Sequence, residues 1–225
     1  MNSLTKIVML FALLPTSGLA DAVAFDVSLN TTPLIGHPAA PFFLNFQFTD
    51  GSGTDDANNR VTLSDFAFGA GGAAIGGPTL FGGVSGDLST GITMTDSSFL
   101  NLFTEQFTPG STLSFVFTTT TNVDAGPQPD EFSFAILDSS GFEIPTLSPT
   151  GALLVTDINS SSPVPQTFAT DSTTPPFGGG GPITMTAPTV VAVQTTIPEP
   201  GSFALTATVI FLLGISSPLL RRRLR

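Results

Sequence analysis

Hydrophobic and polar residues alternate one by one along several stretches of this 225-residue chain. A period of two places successive side chains on opposite faces of an extended strand. The clearest runs therefore predict strands that bury one face and expose the other, at 23–29, 42–48, 113–117 and 132–136. Weaker runs predict further strands near 61–68, 79–84, 91–95, 152–156, 166–169 and 189–195.

Clusters of Gly, Pro, Asp and Asn separate these short runs, which is typical of all-β folds. The sequence predicts one antiparallel β-sandwich or jelly-roll-like domain over residues 25–196, with 172–188 as a long Gly/Pro-rich loop. We expect a last strand near 190–193 to pair with the N-terminal strand, because its Val-Val-Ala-Val run is too apolar for a solvated linker. The alternative is that 172–196 forms a disordered stalk.

The N-terminus has the features of an export signal over residues 1–24. Lys6 precedes a short apolar segment, 7–14, which Pro15 ends. Small residues follow, and we expect cleavage after Ala20, Ala22 or Ala24; Ala20-Asp21-Ala22 and Ala22-Val23-Ala24 both fit the small-x-small rule. We therefore expect the body of the protein to leave the cytoplasm.

The C-terminus predicts a transmembrane helix. Residues 203–220 carry no charge, and at 1.5 Å per residue they form a helix of about 27 Å, close to the thickness of a bilayer core. Prolines just before the segment separate it from the body. Arginines follow it, and such cations stay on the cytoplasmic side: Arg221, Arg222, Arg223 and Arg225.

The break before the helix consists of Pro198, Glu199, Pro200 and Gly201. Together with the apolar helix and the arginines, this motif makes residues 197–225 resemble the PEP-CTERM sorting signal of Gram-negative bacteria. The resemblance implies transient anchoring in the inner membrane. It also implies cleavage near the motif by an exosortase-type membrane protease, and delivery to the cell surface or the extracellular matrix. An ordinary single-span tail anchor is the alternative.

The charge of the body excludes several partners. Residues 25–196 contain Arg60 and fifteen acidic side chains, so their formal charge is 1 − 15 = −14. Such a surface repels nucleic acids and anionic lipid headgroups and tolerates divalent cations. There is no Cys for a disulfide or a thiolate metal site. There are 21 Phe but no Tyr or Trp, which disfavours a conventional sugar-binding platform.

The sequence offers few candidate nucleophiles, general acids or general bases, so we expect no enzymatic activity. The body has a single histidine, His37, in a Gly-His-Pro turn, and no serine elbow accompanies it; we interpret it as an exposed loop residue. The Gly-rich run 69–77 lacks the helix that a phosphate loop requires, and it is interpreted as a flexible connection. A hydrolase that uses a pair of carboxylates remains an alternative.

The best candidate for a ligand site is the loop 50–59. Oxygen ligands at short spacing, with glycines for tight turns, suit calcium, and the candidate ligands are Asp50, Asp55, Asp56 and Asn58. The spacing does not match an EF-hand, and a polar hairpin loop would use the same residues. A second acidic turn completes the site in space or is simply solvated: Asp124, Asp130 and Glu131.

These features predict an exported, exosortase-sorted protein without enzymatic activity. Its body would be a structural or adhesive component of the cell surface or of an exopolysaccharide matrix. A calcium-dependent glycan-binding module is the first alternative, and the carboxylate-pair hydrolase is the second.

Overall fold

The computed structural model describes residues 22–53, 56, 58–123, 126–158 and 163–193. These residues form twelve β-strands and one short 3-10 helix, Thr32–Leu34. The strands in chain order are β1 Ala22–Asn30, β2 Phe42–Thr49, β3 Arg60–Ala67, β4 Ala73–Phe81, β5 Val84–Asp87, β6 Gly91–Thr95, β7 Leu100–Thr108, β8 Thr112–Thr120, β9 Glu131–Leu137, β10 Leu154–Asp157, β11 Gln166–Thr167 and β12 Thr189–Val193.

The described strands form two sheets of six, and all pairs are antiparallel. The first sheet has the order β12-β1-β8-β3-β6-β5, and the second has the order β11-β10-β9-β2-β7-β4. The predicted all-β class and the antiparallel β-sandwich are therefore confirmed.

Phenylalanine rings from both sheets fill the core. Phe46 on β2 lies 5.1 Å from Phe134 on β9 and 5.4 Å from Phe115 on β8, measured between ring centroids. Phe117 on β8 stacks on Phe132 of β9 at 4.5 Å. The Phe46–Phe115 and Phe117–Phe132 contacts join the two sheets, because β8 belongs to the first sheet and β2 and β9 to the second. Phe46 and Phe134 are partners within the second sheet. Each such pair contributes about 0.5–1.5 kcal/mol beyond the burial of its area.

The pairing of the last strand with the first is confirmed. β12 adds to the edge of β1, with Val27 opposite Val190 and Ala24 opposite Val193. The loop before it contains no strand or helix from 172 to 188, as expected. Over the described residues it is not a stalk, because Ile183 and Met185 are buried in the core. Thr170 secures them: its hydroxyl donates to the Ile183 carbonyl at 2.6 Å and accepts from the Met185 amide at 2.7 Å.

The alternation pattern does not predict β7, and the reason lies on its buried face. That face carries Asn101, Phe103, Glu105 and Phe107, so two of its four side chains are polar. Backbone groups satisfy the polar ones. The Asn101 amide donates to the Phe48 and Ser98 carbonyls, and a Glu105 carboxylate oxygen accepts from the Leu88 amide at 3.0 Å.

The interpretation of 69–77 as a flexible connection is wrong for its second half, since Ala73–Phe81 is strand β4. β4 lies at the edge of the second sheet and pairs with β7 alone. Most of its residues are exposed, so only the weak run at 79–84 overlaps it. The register shifts between Ile75 and Thr79, where Gly76, Gly77 and Pro78 form an irregularity. An edge position tolerates a proline that cannot donate a hydrogen bond to a neighbouring strand.

Both predicted targeting segments lie mostly or wholly outside the described residues. The sorting signal 197–225 and its predicted helix 203–220 lie wholly outside them. Among the residues that the structure describes, no helix is long and apolar enough to cross a membrane. The export signal 1–24 overlaps β1, in which Ala22 pairs with Thr120 and Ala24 with Thr118. Of the three predicted cleavage positions, the one after Ala20 leaves β1 whole.

Glu105 gives a prediction for stability. Burial raises the pKa of this carboxyl, the hydrogen bond from the Leu88 amide opposes that change, and the charge of Asp87 adds to it. The folded state therefore holds the proton more tightly than the unfolded state. Glu105 destabilises the fold at neutral pH, and this cost is removed as the pH falls through the raised pKa.

We expect Glu105→Gln to increase the free energy of unfolding at pH 7.5, because a neutral amide still accepts from Leu88. Glu105→Ala should lower it by about 2 kcal/mol, because the Leu88 amide loses its partner. Urea unfolding at pH 7.5 and pH 5 measures both changes. The advantage of the Gln variant should shrink at pH 5, and an equal advantage at both values would contradict this account.

Candidate functional site

The register of the second sheet brings three chain segments together at one end of the sandwich. Thr49, the last residue of β2, lies opposite Leu100 at the start of β7 and opposite Glu131 at the start of β9. Asp50 and Asp130, the next residues outward, therefore lie at the same end. The Asp50 amide donates to the Phe99 carbonyl at 3.0 Å, which holds the β6–β7 loop against the end of β2.

The first sheet brings its own loops to this end. Arg60 at the start of β3 lies opposite Thr95 at the end of β6, and Val61 lies opposite Thr119 near the end of β8. Asn59 and Asp96 are each one residue further out, so antiparallel pairing makes them neighbours. The loops β2–β3, β6–β7 and β8–β9 thus converge, although they are far apart in sequence.

We call this region the acidic end of the sandwich. It also includes Asp157 at the end of β10, which lies opposite Glu131 in the register of β10 and β9. The set comprises Asp50, Asp56, Asp96, Asp130, Glu131 and Asp157. Arg60 is the one Lys or Arg of 25–196, and it lies exposed at the start of β3. The region therefore concentrates negative charge with little positive charge to balance it.

Asn59 links the loops of the acidic end. Its backbone amide donates to Asp96 Oδ2 at 2.7 Å, and its side-chain Nδ2 donates to Asp130 Oδ2 at 2.8 Å. Its Oδ1 accepts from the Asn122 amide at 3.0 Å and from the Thr120 hydroxyl at 2.9 Å. One buried residue, through its backbone amide and its side chain, therefore connects two carboxylates and the β8–β9 loop.

Gly51 fixes the second contact between loops. Its amide donates to Asp130 Oδ1 at 2.8 Å, and the Ser52 amide donates to the Gln128 carbonyl at 2.9 Å. A Cβ at position 51 would collide with the backbone carbonyls of Gln128 and Pro129. The close approach of these two loops therefore requires glycine.

Asp96 is the most unusual carboxylate of the acidic end. Its side chain is 0% exposed, and its Oδ1 has no hydrogen-bond partner among the described residues. Burial raises its pKa to about 6, the Asn59 amide opposes this, and the charges of Asp130 and Asp56 add to it. A buried carboxylate oxygen without a partner is costly, so this position selects for a proton or a cation.

The residues predicted as calcium ligands have different surroundings. Asp50 is buried at the end of β2. Asp56 is exposed, and its carboxylate accepts hydrogen bonds from the Asn58 backbone amide at 3.1 Å and from the Asn58 side-chain amide at 2.9 Å. These bonds form a local turn. Asp55 lies outside the described residues, as does Asp124 of the second acidic turn. The four-residue ligand set stays a prediction.

No group of three or more His, Cys, Asp or Glu side chains is arranged to hold a metal ion in the part of the chain that the structure describes. The second acidic turn does reach the first, because Asp130 bonds Gly51 and Asn59. Asp96 was not among the predicted ligands. The sequence marks it only by its position directly after the alternating run of β6. The pairing of β6 with β3 places that position beside Asn59.

A cavity of about 240 Å³ opens beside the acidic end. Asp50, Phe99 and Glu131 line it, together with the Gln128–Pro129 backbone. Phe99 is 62% exposed. Burial raises the pKa of Glu131, and the charge of Asp157 raises it further. The cavity combines an apolar ring with acceptors for hydroxyl groups.

His37 lies at the other end of the sandwich, in the loop that leads into β2. It is half-buried, its Nδ1 accepts from the Ala39 amide at 3.2 Å, and its Nε2 lies 3.0 Å from the Gly181 carbonyl. The ring thereby joins its loop to the long loop 172–188. These contacts give His37 a structural role.

Comparison of the chain with protein-family models, with curated proteins and with solved structures finds no match. The functional argument therefore depends on the residues themselves.

Gly51 gives a test of the acidic end. We expect Gly51→Ala to lower the free energy of unfolding by about 2 kcal/mol, because the added methyl group collides with a backbone that has little room to move. Gly77→Ala is the matched control, since a Cβ there meets no atom within 4 Å. Urea unfolding of both variants measures the difference, and equal stabilities would contradict the close contact between the loops.

Proposed function

We propose that this protein is exported, sorted through its C-terminal segment by an exosortase-type protease, and placed at the cell surface or in an exopolysaccharide matrix. One observation carries the proposal: a Pro-Glu-Pro-Gly break, an uncharged stretch of eighteen residues (203–220) and four arginines follow one another in the last 29 residues (197–225). The PEP-CTERM resemblance rests on this order.

The position of the body in the chain supports the proposal. Its strands run from Ala22 to Val193, so the export signal almost entirely precedes them and the sorting segment follows them. Removal of the sorting segment therefore costs the sandwich no strand. Val193 pairs with Ala24, so the described chain begins and ends at neighbouring strand positions.

The body suits a structural or adhesive role outside the cell. Its core is packed with phenylalanine and needs no disulfide. Large apolar side chains also reach its surface, among them Phe142 and Phe177, whose rings lie 5.0 Å apart. Exposed aromatic groups on an acidic, export-directed domain favour contact with other surface material.

Mass spectrometry of the mature protein tests the sorting step. In a Gram-negative host that carries an exosortase-type protease, we expect the mature chain to end near Pro198–Gly201 and to begin after Ala20, Ala22 or Ala24. In the same host without the protease it should keep Arg225. The double variant Pro198→Ala, Pro200→Ala should also keep Arg225, because the break that the protease recognises is gone.

Pro182→Ala is the control, since it removes a proline of the long loop upstream and leaves the motif intact. It should be processed like the unchanged chain. An identical C-terminus with and without the protease would refute sorting, and an intact 225-residue chain in the cytosol would refute export.

A calcium-dependent glycan-binding module is the second candidate, and the cavity beside the acidic end favours it. Phe99 offers a ring face on which a sugar can stack, and Glu131 can accept hydrogen bonds from hydroxyl groups. Phe99 and Glu131 together would supply the ring face and the polar group that Tyr or Trp provides in a conventional sugar-binding site.

A glycan array with and without EDTA tests this candidate. We expect binding to vanish with EDTA and to fall at least tenfold in Phe99→Ala. Phe142→Ala should bind normally, because Phe142 is an exposed phenylalanine away from this cavity. Equal losses in both variants, or no bound glycan at all, would exclude the cavity as a sugar site.

A further inference from the structure

The acidic end brings two buried carboxylates from different loops together. Asp96 and Asp130 are both buried, and they belong to loops 34 positions apart in the sequence. Like charges in such surroundings repel each other, and burial strengthens the repulsion because water no longer screens it. A positive charge or a proton at Asp96 relieves this repulsion.

The hydrogen bonds orient both carboxylates around Asn59. Asp96 uses Oδ2 to accept from the Asn59 amide, and Asp130 uses Oδ2 to accept from the Asn59 side chain. The two groups are therefore neighbours across a single residue. Asp96 Oδ1 is left buried without a hydrogen-bond partner in the described chain. An oriented, buried and unused carboxylate oxygen is the feature that a bound cation explains.

The available donors select the kind of cation. The described side chains of the acidic end offer carboxylate and amide oxygens, and its loops add backbone carbonyls. The chain has no Cys, and His37 lies at the opposite end of the sandwich. Oxygen donors from irregular loops suit calcium, which accepts six to eight ligands in variable geometry, better than zinc or magnesium.

We propose that Asp96 and Asp130 together hold one calcium ion at the acidic end, with Asp96 Oδ1 as a direct ligand. The remaining ligands are water and oxygens of the described residues of the converging loops. This site differs from a calcium loop of consecutive residues, because its two carboxylates come from the β6–β7 and β8–β9 loops. It is independent of the sorting proposal and of any bound sugar.

Binding of calcium to the full-length chain, purified in detergent and stripped with EDTA, tests the proposal. Isothermal titration with CaCl₂ alone should give one site. Saturating calcium should raise the Tm by about 5 °C or more, as expected for a ligand that binds only the folded state. Asp96→Asn should remove the heat of binding and the shift in Tm.

The matched control is Asp26→Asn, an exposed acid on β1, which should respond to calcium like the unchanged chain. Asp96→Asn in EDTA should unfold at the same temperature as the unchanged chain or higher, because it removes a buried charge. That measurement separates loss of a ligand from loss of the fold.

Three results would overturn the proposal. The first is the absence of any calcium response in the unchanged chain at millimolar concentration. The second is a response in Asp96→Asn equal to that of Asp26→Asn. The third is an equal shift with magnesium at the same concentration, because general screening of the charge of −14 then explains the effect.

Discussion

The contact between phenylalanine rings of the two sheets is the interaction on which the rest of the structure depends. Phe46 meets rings from both sheets, and the stacked pair Phe117–Phe132 joins β8 to β9 across the core. Because each strand alternates its faces, a shift of one residue would expose these rings to water. The buried rings therefore fix the register of every central strand.

Fixed register determines which loop residues meet. Thr49 opposite Glu131, and Arg60 opposite Thr95, place the next residues outward side by side. Asp50, Asp96 and Asp130 are buried close to one another only because the core holds their strands in this alignment. The polar site is thus a consequence of apolar packing, and the energy that offsets its repulsion comes from the core.

The sequence predicted the fold where one face of a strand is apolar, as in β1, β2, β8 and β9. It failed for β7, where Asn101 and Glu105 face the core. It placed only the last residues of β4, an exposed edge held by backbone pairing, in a predicted strand. It identified the loop 50–59 and the turn at Asp130 as acidic. It did not identify Asp96. The neighbours of Asp96 come from strands that are far apart in the sequence, and a local sequence pattern does not show which strands pair.

The acidic end holds loops together in a chain that has no cysteine for disulfides. Exported domains commonly use disulfides to hold loops together, and this chain has no cysteine. Asn59 and Gly51 already connect three loops through hydrogen bonds to Asp96 and Asp130. A cation between these carboxylates would complete a cross-link between segments distant in sequence, as a disulfide does. Unlike a disulfide, that cross-link would form only where calcium is abundant, which is the extracellular side of the membrane. Under the export that we propose, such a chain would be least constrained before export and most rigid after it.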